Sequence, residues 1–433
     1  MTASIAIFWF RRDLRLEDNA GLSHALASGV PVLPIFIFDP AILTDLPRDD
    51  ARVTFIHDQL QKLRTTFEKD YGSSVALYHG KPQEIFERLL QQFPVRTVFT
   101  NHDYEPDTQA RDDHVRLWLQ ARSVTFNSYK DHVVAEKKEI TKDDGSPYVV
   151  FTPYMRKWKS AQNPATCEPY QTLSKLDHLI RDPHLPNLSL PDIGFIRSPI
   201  TMPAFQLNPE ILRNYAKQRD FPSLSGTSLV GPHLRFGTVS IRQIARLAFE
   251  HSDIFCNELI WRDFFSQILW HFPHTQHSSF KPRYDQIKWR NDETEFQRWC
   301  NGTTGYPLVD AGMRQLNATG WMHNRVRMVT ASFLCKHLLI DWRWGEAYFA
   351  QKLLDYDMAS NIGNWQWAAG CGVDATPYFR IFNPAMQAQK FDKNLNYIHT
   401  WVSEFNTLNY PAPIVDHAYA RERCLKTYRQ AVG

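Results

Sequence analysis

The sequence predicts two differently built domains: an α/β parallel-sheet N-terminal domain and an all-α C-terminal domain, joined by a long connector. Three observations carry this. Five short apolar runs alternate with helical stretches in the first third of the chain. Eleven of the 26 prolines fall between residues 147 and 222. Beyond that point strand-like runs nearly vanish and apolar residues recur at helical spacing.

The five apolar runs are Ile5–Phe10, Val32–Phe38, Val75–His79, Thr97–Asn101 and Val124–Tyr129. Helices are expected over Arg52–Asp70, Gln83–Gln92 and Thr108–Arg122 between them. Continuous apolar strands separated by helices mark a parallel sheet covered on both faces. No Gly-x-Gly-x-x-Gly follows the first strand, so the dinucleotide fingerprint is absent. The turn there holds Arg11, Arg12 and Arg15. They can bind phosphate or pair with Asp13, Glu17 and Asp18; pairing is the expectation. The expected boundaries are 1–133 for the α/β domain, 134–205 for the connector and 206–433 for the helical domain. Proline fixes φ and interrupts helix and sheet alike, so the connector reads as irregular. It keeps Tyr154, Trp158, Phe195 and Phe205, which fits a segment wrapped on the surface. Helices then follow over Val239–His251, Asn257–Leu269, Phe296–Trp299, Val309–Thr319, Trp321–Leu339 and Trp344–Asp355.

Composition excludes several classes. A chain of 433 residues with 43% hydrophobic and 22% charged residues can bury a core without disulfide or metal staples. The six cysteines form no Cys-x-x-Cys pair, against a zinc ribbon and in keeping with a reducing cytosol. The first apolar run is too short for a signal peptide or membrane span. A net charge of +3 names no partner by itself. Thirteen tryptophans are the unusual feature. Five of them lie between Trp321 and Arg380 with four arginines. A packed core is the ordinary account of such density, and a planar ligand the sharper one.

Four local patterns can carry chemistry. Glu258, Trp261 and Arg262 stand at i, i+3 and i+4 and share a helical face, where a Glu–Arg pair beside a packed Trp is the ordinary outcome. Asn324, Arg327 and Met328 share another, with Arg325 turned away. That face can read a polar heterocycle, or Met328 can be core and the arginines solvated. Asp355 and Asp357 are two apart and cannot share a face, so a helix ends near them. They can accept from a ligand or cap the next helix. The turn Gly226–Gly237 is small and hydroxyl-rich and can offer backbone N–H groups to phosphate, but without a Walker lysine it is weak. No metal site is expected.

Taken in order, FWFRRDLRLEDN, YAKQRDFP, GTSLVGPHLRFG, ELIWRDF, TGYPLVDAGMRQL, TGWMHNRVRM, DWRWGE, DYDMASNIGNWQWAAG, DATPYFRIFNP and YPAPIV resemble the photolyase/cryptochrome family, most of all the class I cyclobutane pyrimidine dimer photolyases. The resemblance spans nearly the whole chain and is weakest in the connector. It implies an antenna domain and a helical domain holding U-shaped FAD. Tyr215, Thr227, Ser228, Leu229, Val230, Gly231, Glu258, Arg262, Asn324, Arg327, Asp355, Asp357 and Asn361 match the family's FAD positions. Where relatives often have TSRLS this chain has TSLVG, so Gly231 removes a hydroxyl.

The resemblance also implies light-dependent repair of UV-damaged DNA: a dimer flips out of the duplex, excited FADH⁻ donates an electron to it, the ring bonds split and the electron returns. Glu258, Asn324, Met328 and Asn361 match the catalytic set. Trp261 and Trp367 match the pocket aromatics, and Arg219, Arg325 and Arg380 match positions near the DNA backbone. Trp289, Trp342 and Trp365 match an electron-hopping chain. Asn324 and Asn361 are the photolyase residues, where 6-4 photolyases and plant cryptochromes respectively differ. A second chromophore, folate or deazaflavin, is left open, because folate-binding relatives have Asn-Glu where this chain has Asp107-Thr108. A monomer is expected, without membrane association, cytoplasmic and nucleoid-associated if bacterial. The rivals are a blue-light photoreceptor of the same fold, without repair, and a dark flavin oxidoreductase.

Overall fold

The computed structural model describes residues 4–432. Its first part runs β1 (Ile5–Phe10), α1 (Ala20–Leu26), β2 (Val32–Phe38), α2 (Pro40–Leu43), α3 (Ala51–Tyr71), β3 (Ala76–His79), α4 (Pro82–Gln92), β4 (Val95–Asn101), α5 (Pro106–Gln120) and β5 (Thr125–Tyr129). There follow α6 (Phe151–Ala161), α7 (Pro209–Gln218), α8 (Gly231–Arg235), α9 (Ile241–His251), α10 (Asp253–His271), α11 (Glu293–Cys300), α12 (Pro307–Thr319), α13 (Asn324–Ser332), α14 (Trp342–Lys352), α15 (Met358–Ala369), α16 (Pro384–Phe391), α17 (Asn396–Trp401) and α18 (His417–Val432). Among the described residues no helix is long and apolar enough to cross a membrane.

The chain forms two compact units, each assembled from separated segments. The first comprises 1–139, 159–205 and 229–250; the second comprises 140–158, 206–228 and 251–433. Residues 229–250 join the sheet unit because Arg242 donates to Asp18 and Asp131 at 2.8 Å each, and Phe236 packs into the core on one sheet face.

In the first unit the sheet is parallel with order β3-β2-β1-β4-β5. Alternate residues of β1 serve opposite faces: Ala6, Phe8 and Phe10 enter one core, and Ile5, Ile7 and Trp9 the other. Every β1 residue is buried, which is why the strand reads as an unbroken apolar run. Pro34 is tolerated inside β2 because pairing with β3 begins only at Ile35.

Open sheets of this order bind ligands beyond the C-terminal ends of the two strands where the winding reverses, here β1 and β4. That crevice holds the chain's own ion pairs. Arg11 bonds Asp112 at 2.6 Å, and Arg12 bonds Asp103 at 3.1 Å and Glu105 at 2.9 Å. Arg15 bonds Asp131 at 2.7 Å. Pairing is therefore what these arginines do, with distant carboxylates; Arg15 meets Glu17 and Asp18 only at their backbone carbonyls, at 3.1 and 2.7 Å. The Asp13 side chain is taken by Asn101 and by the Arg11 N–H, and burial lifts its carboxyl to about 6.

The connector is wrapped down. Leu176, Leu179, Leu190, Ile193 and Phe195 are buried in the first unit's core, while Phe205 is 41% exposed. It also contains a helix the prolines concealed. In α6, Phe151, Tyr154 and Trp158 fall on one buried face, and Pro153 sits in the first turn, where its missing N–H costs nothing.

The second unit is helical, with a large core cluster around Trp299, Trp342 and Trp365. The single helix expected over Trp321–Leu339 is interrupted. Gly320 at φ +67° closes α12, and α13 begins only at Asn324. Phe333–His337 then forms a π turn, closed by Leu338 N–H to Phe333 C=O at 3.1 Å.

Candidate functional site

All the predicted site residues except Leu229, Val230 and Gly231 belong to the helical unit. Four supports carry the central ones: the end of α7, the exposed side of α10, the first turns of α13, and the turn leading into α15.

Tyr215 and Arg219 lie on and just past α7, whose N-terminus is capped by Asn208 accepting from Ile211 N–H. Arg219 lies 5.4 Å from the Tyr215 ring centroid and donates to the Glu258 carboxylate of α10. Glu258 thus takes Arg219, from another helix, and not the expected Arg262 of its own. Desolvation lifts the Glu258 carboxyl above the ordinary carboxylate range, and the Arg219 cation opposes that. Both side chains keep about a quarter to a third of their exposure, at 26% and 31%. Beside Glu258, the Asn257 Oδ1 is buried with no donor, an orphan acceptor of the kind a ligand N–H satisfies. Trp261, one turn on, stacks on Phe151 with centroids 3.6 Å apart and planes at 2°, so one indole face is already covered.

Helix α13 is aimed by His323, one of the scattered histidines that sequence reasoning takes as structural. Its Nδ1 accepts from Arg325 N–H at 3.1 Å as the N-cap. Burial holds this imidazole down to about 4, so at neutral pH it keeps the lone pair the cap needs. Asn324 is exposed, with its Nδ2 4.0 Å from Met328 Sδ. Arg325 donates to Asp220 at 2.6 Å. Arg327 is held by three bonds: Nε to Met322 O at 2.7 Å, and both Nη atoms to Asp355 at 3.1 and 2.8 Å. Neither arginine is simply solvated, which the single-helix pattern left open.

Helix α14 ends at Lys352, before the two aspartates. Asp355 takes the Arg327 fork, while Asp357 caps α15 by accepting from Ser360 N–H at 3.1 Å. Asn361 donates through Nδ2 to the Glu346 carboxylate at 2.9 Å and to its carbonyl at 3.2 Å. Both bonds use the amide nitrogen, so the amide oxygen remains the accepting group. Glu346, a residue sequence reasoning missed, is lifted by burial and pulled back by hydrogen bonds from Asn361 and Tyr356.

The three candidate electron-transfer tryptophans share one apolar cluster. The Trp289 and Trp342 segments are stitched together by Arg290 N–H to Leu339 O at 2.7 Å and by Asp341 N–H to Asn291 Oδ1 at 2.9 Å. Trp289 is half-buried and meets Tyr428 edge-on at 6.0 Å. Trp365 contacts Phe349 at 5.0 Å and Trp299 at 6.1 Å. The Trp342 indole N–H is buried without an acceptor. Trp367 is half-buried at the edge of the same cluster. Arg380 stands apart: its side chain is exposed, and its carbonyl accepts from the buried Lys336 Nζ at 2.9 Å.

Thr227 and the buried Ser228 close the helical unit's share of TSLVG. In the other unit Leu229 adopts φ +53°, a left-handed conformation that is costly for leucine, and Val230 is right-handed. Successive residues of opposite hand turn their N–H groups into one concavity, the backbone form that takes phosphate oxygens. Among the described residues no group of three or more His, Cys, Asp or Glu side chains could hold a metal ion. Within the helical unit, guanidinium, hydroxyl, carboxylate and amide groups fit the polar edges of a dinucleotide better than any metal.

Comparison with known proteins gives the same direction. Residues 6–172 match the family model described as DNA photolyase, and residues 255–409 match the one described as FAD binding domain of DNA photolyase. The deoxyribodipyrimidine photo-lyase of Halobacterium salinarum is 36% identical, covering 99% of both chains. That of Escherichia coli is 34% identical, covering 98% of both. Among solved structures, a bacterial class III photolyase from Agrobacterium tumefaciens superposes with a TM-score of 0.89 at 33% identity, covering 100% of this chain and 98% of that one. A cryptochrome of Synechocystis gives 0.85 at 26% identity, covering 99% and 100%. Identity above 30% along the full length, with both halves matched in order, shows that this chain belongs to the DNA photolyase family.

Proposed function

We propose that this protein carries out light-dependent DNA repair, splitting cyclobutane pyrimidine dimers flipped out of the duplex. The observation that carries the reading is its full-length identity, from 34% to 36%, with proteins named deoxyribodipyrimidine photo-lyase. When bound and reduced, FAD supplies the light-excited electron that opens the dimer's ring bonds.

The chain's own residues bind and position. The backbone N–H groups of Leu229, Val230 and Gly231 would offer themselves to phosphate, and the family likeness assigns Thr227, Ser228 and Arg262 to the cofactor as well. Tyr215, Glu258, Asn324 and the locked pair Arg327–Asp355 would hold the cofactor's polar edges. Asp357 fixes the start of α15, so that Asn361 presents its amide at a set depth. Extruding a dimer costs a few kcal/mol, less for a damaged, poorly stacked site. Stacking on Trp261 and Trp367 would return about 1–3 kcal/mol per base. Glu258, Asn324 and Met328 would contact the dimer's polar and apolar edges, and Arg219, Arg325 and Arg380 the phosphates. Trp289, Trp342 and Trp365 would return electrons from the surface to an oxidised cofactor.

The functional division in this reading is an antenna domain over 1–133, a connector over 134–205 and a catalytic domain over 206–433. Any second chromophore, a folate, a deazaflavin or another, would serve as antenna. The protein would act as a cytoplasmic monomer, at the nucleoid if bacterial. The test is loss of thymine dimers from an oligonucleotide under near-UV light with reductant. A photoreceptor without repair would reduce its flavin in light yet leave dimer content at the dark level.

A further inference from the structure

Arg219 and Asp220 are consecutive residues that reach in two directions. Arg219 donates to Glu258 of α10, and Asp220 accepts from Arg325 Nη2 of α13 at 2.6 Å. The four groups carry two positive and two negative charges, so the patch is formally neutral. Its two arginines are thereby withheld from any phosphate that approaches.

The hold on Arg325 is incomplete. Its guanidinium lies 4.3 Å from the Phe391 ring centroid, with Nη1 3.8 Å from Met328 Sδ, and its Nε is buried without an acceptor. Only one strong bond, to Asp220, satisfies it. Two residues away Arg327 has three bonds, two of them to a carboxylate that is 14% exposed. Asp220 is 39% exposed. A carboxylate that open regains its water on release, and a pair in such surroundings holds weakly. Arg327 is fixed, whereas Arg325 can exchange Asp220 for a stronger anion.

We propose that Asp220 is a specificity-determining residue: it competes with DNA phosphate for Arg325 and so suppresses binding of undamaged duplex. The inference rests on the repair reading above. An intact duplex keeps its bases stacked and gains nothing from the pocket to offset displacing Asp220. A flipped dimer gains the contacts of Trp261, Asn324 and Met328 in the same event. Selectivity then comes partly from a competitor set against the wrong ligand.

The test compares wild type with Asp220→Asn, holding FAD, in darkness. Affinity is measured for a duplex with one thymine dimer and for its undamaged twin across a salt series. Asp220→Asn is expected to bind the undamaged duplex roughly 3- to 10-fold tighter, with a log K against log salt slope steeper by about 0.9, the signature of one further phosphate contact. Dimer affinity changes less, so the preference for damage falls. Asp220→Glu, which keeps the charge, is expected to retain wild-type preference. Equal tightening on both duplexes, an unchanged undamaged affinity, or weaker binding of both would overturn the inference. A wild type without preference for the dimer duplex would instead overturn the repair reading itself.

Discussion

A Cβ atom on Gly345 would lie 2.2 Å from the Trp365 indole and 2.5 Å from Leu334. Helices α14 and α15 pack this closely only because residue 345 has no side chain. Exchanging a helical Gly for Ala ordinarily stabilises by up to about 1 kcal/mol. Here overpacking costs on the order of 1–3 kcal/mol and reverses the sign. Gly345→Ala is expected to lower Tm in thermal unfolding and to slow light-driven flavin reduction by displacing Trp365. A raised Tm with unchanged photoreduction would mean the contact is not tight.

The Arg327–Asp355 fork is expected to govern cofactor retention. Asp355→Asn breaks a mostly buried bidentate pair and leaves the guanidinium short of charge, at a cost of about 1–3 kcal/mol. The flavin-to-protein absorbance ratio after purification should fall. Arg327→Gln should fall similarly, and the double substitution should cost less than the two singles added. Full additivity would show that the two residues act separately.

Glu258→Ala is expected to cut repair by about an order of magnitude or more, the effect of removing a charged hydrogen-bond partner at a reacting group, and to cut it more than it cuts FAD retention. Glu258→Gln should keep part of the activity, because it still bonds the substrate edge. An unchanged repair quantum yield would remove Glu258 from the pocket.

Lys336 should give the unfolding free energy a distinct pH dependence. It has no exposed surface, and burial pulls its ammonium down from 10.5 to about 8. Between those values the unfolded chain holds a proton that the folded one lacks, so stability rises with pH through the window. The charged lysine costs on the order of 3 kcal/mol below pH 8, and that cost fades by the upper value. Lys336→Met is expected to exceed wild type in denaturant stability at pH 7, less the lost bond to Arg380, and the gap should narrow toward pH 10. A gap constant with pH would mean the lysine is not desolvated.

Much of the sheet was legible because parallel strands buried on both faces are written as continuous apolar runs. β1 and β2 were read to the residue. Helix α6 was not, since Pro153 masked a face built from Phe151, Tyr154 and Trp158. Partner identities were the least legible. Arg11 finds Asp112 across 101 positions and Arg219 finds Glu258 across 39, and no local spacing encodes that. Asp220 had a signal in its place beside Arg219. His323 had one in lying next to Asn324, and Glu346 in closing the DWRWGE stretch. The separation of Asp355 from Asp357 was legible, because residues two apart cannot face the same way on a helix.

Trp289→Phe is expected to block reduction of oxidised flavin by light while leaving repair by chemically pre-reduced protein intact. Trp289 is the half-buried member of the three, whereas Trp342 and Trp365 are buried. Equal loss of both activities would contradict the hopping assignment.

The most direct measurement of the central claim is an action spectrum. Dimer loss per absorbed photon is recorded across the near-UV and blue for pre-reduced protein on a thymine-dimer oligonucleotide. The account predicts that it follows the absorption of the bound reduced flavin and any second chromophore, and falls to zero in darkness and after the flavin is stripped. Dimer loss that persists in darkness or without flavin, or none at any wavelength, would contradict it.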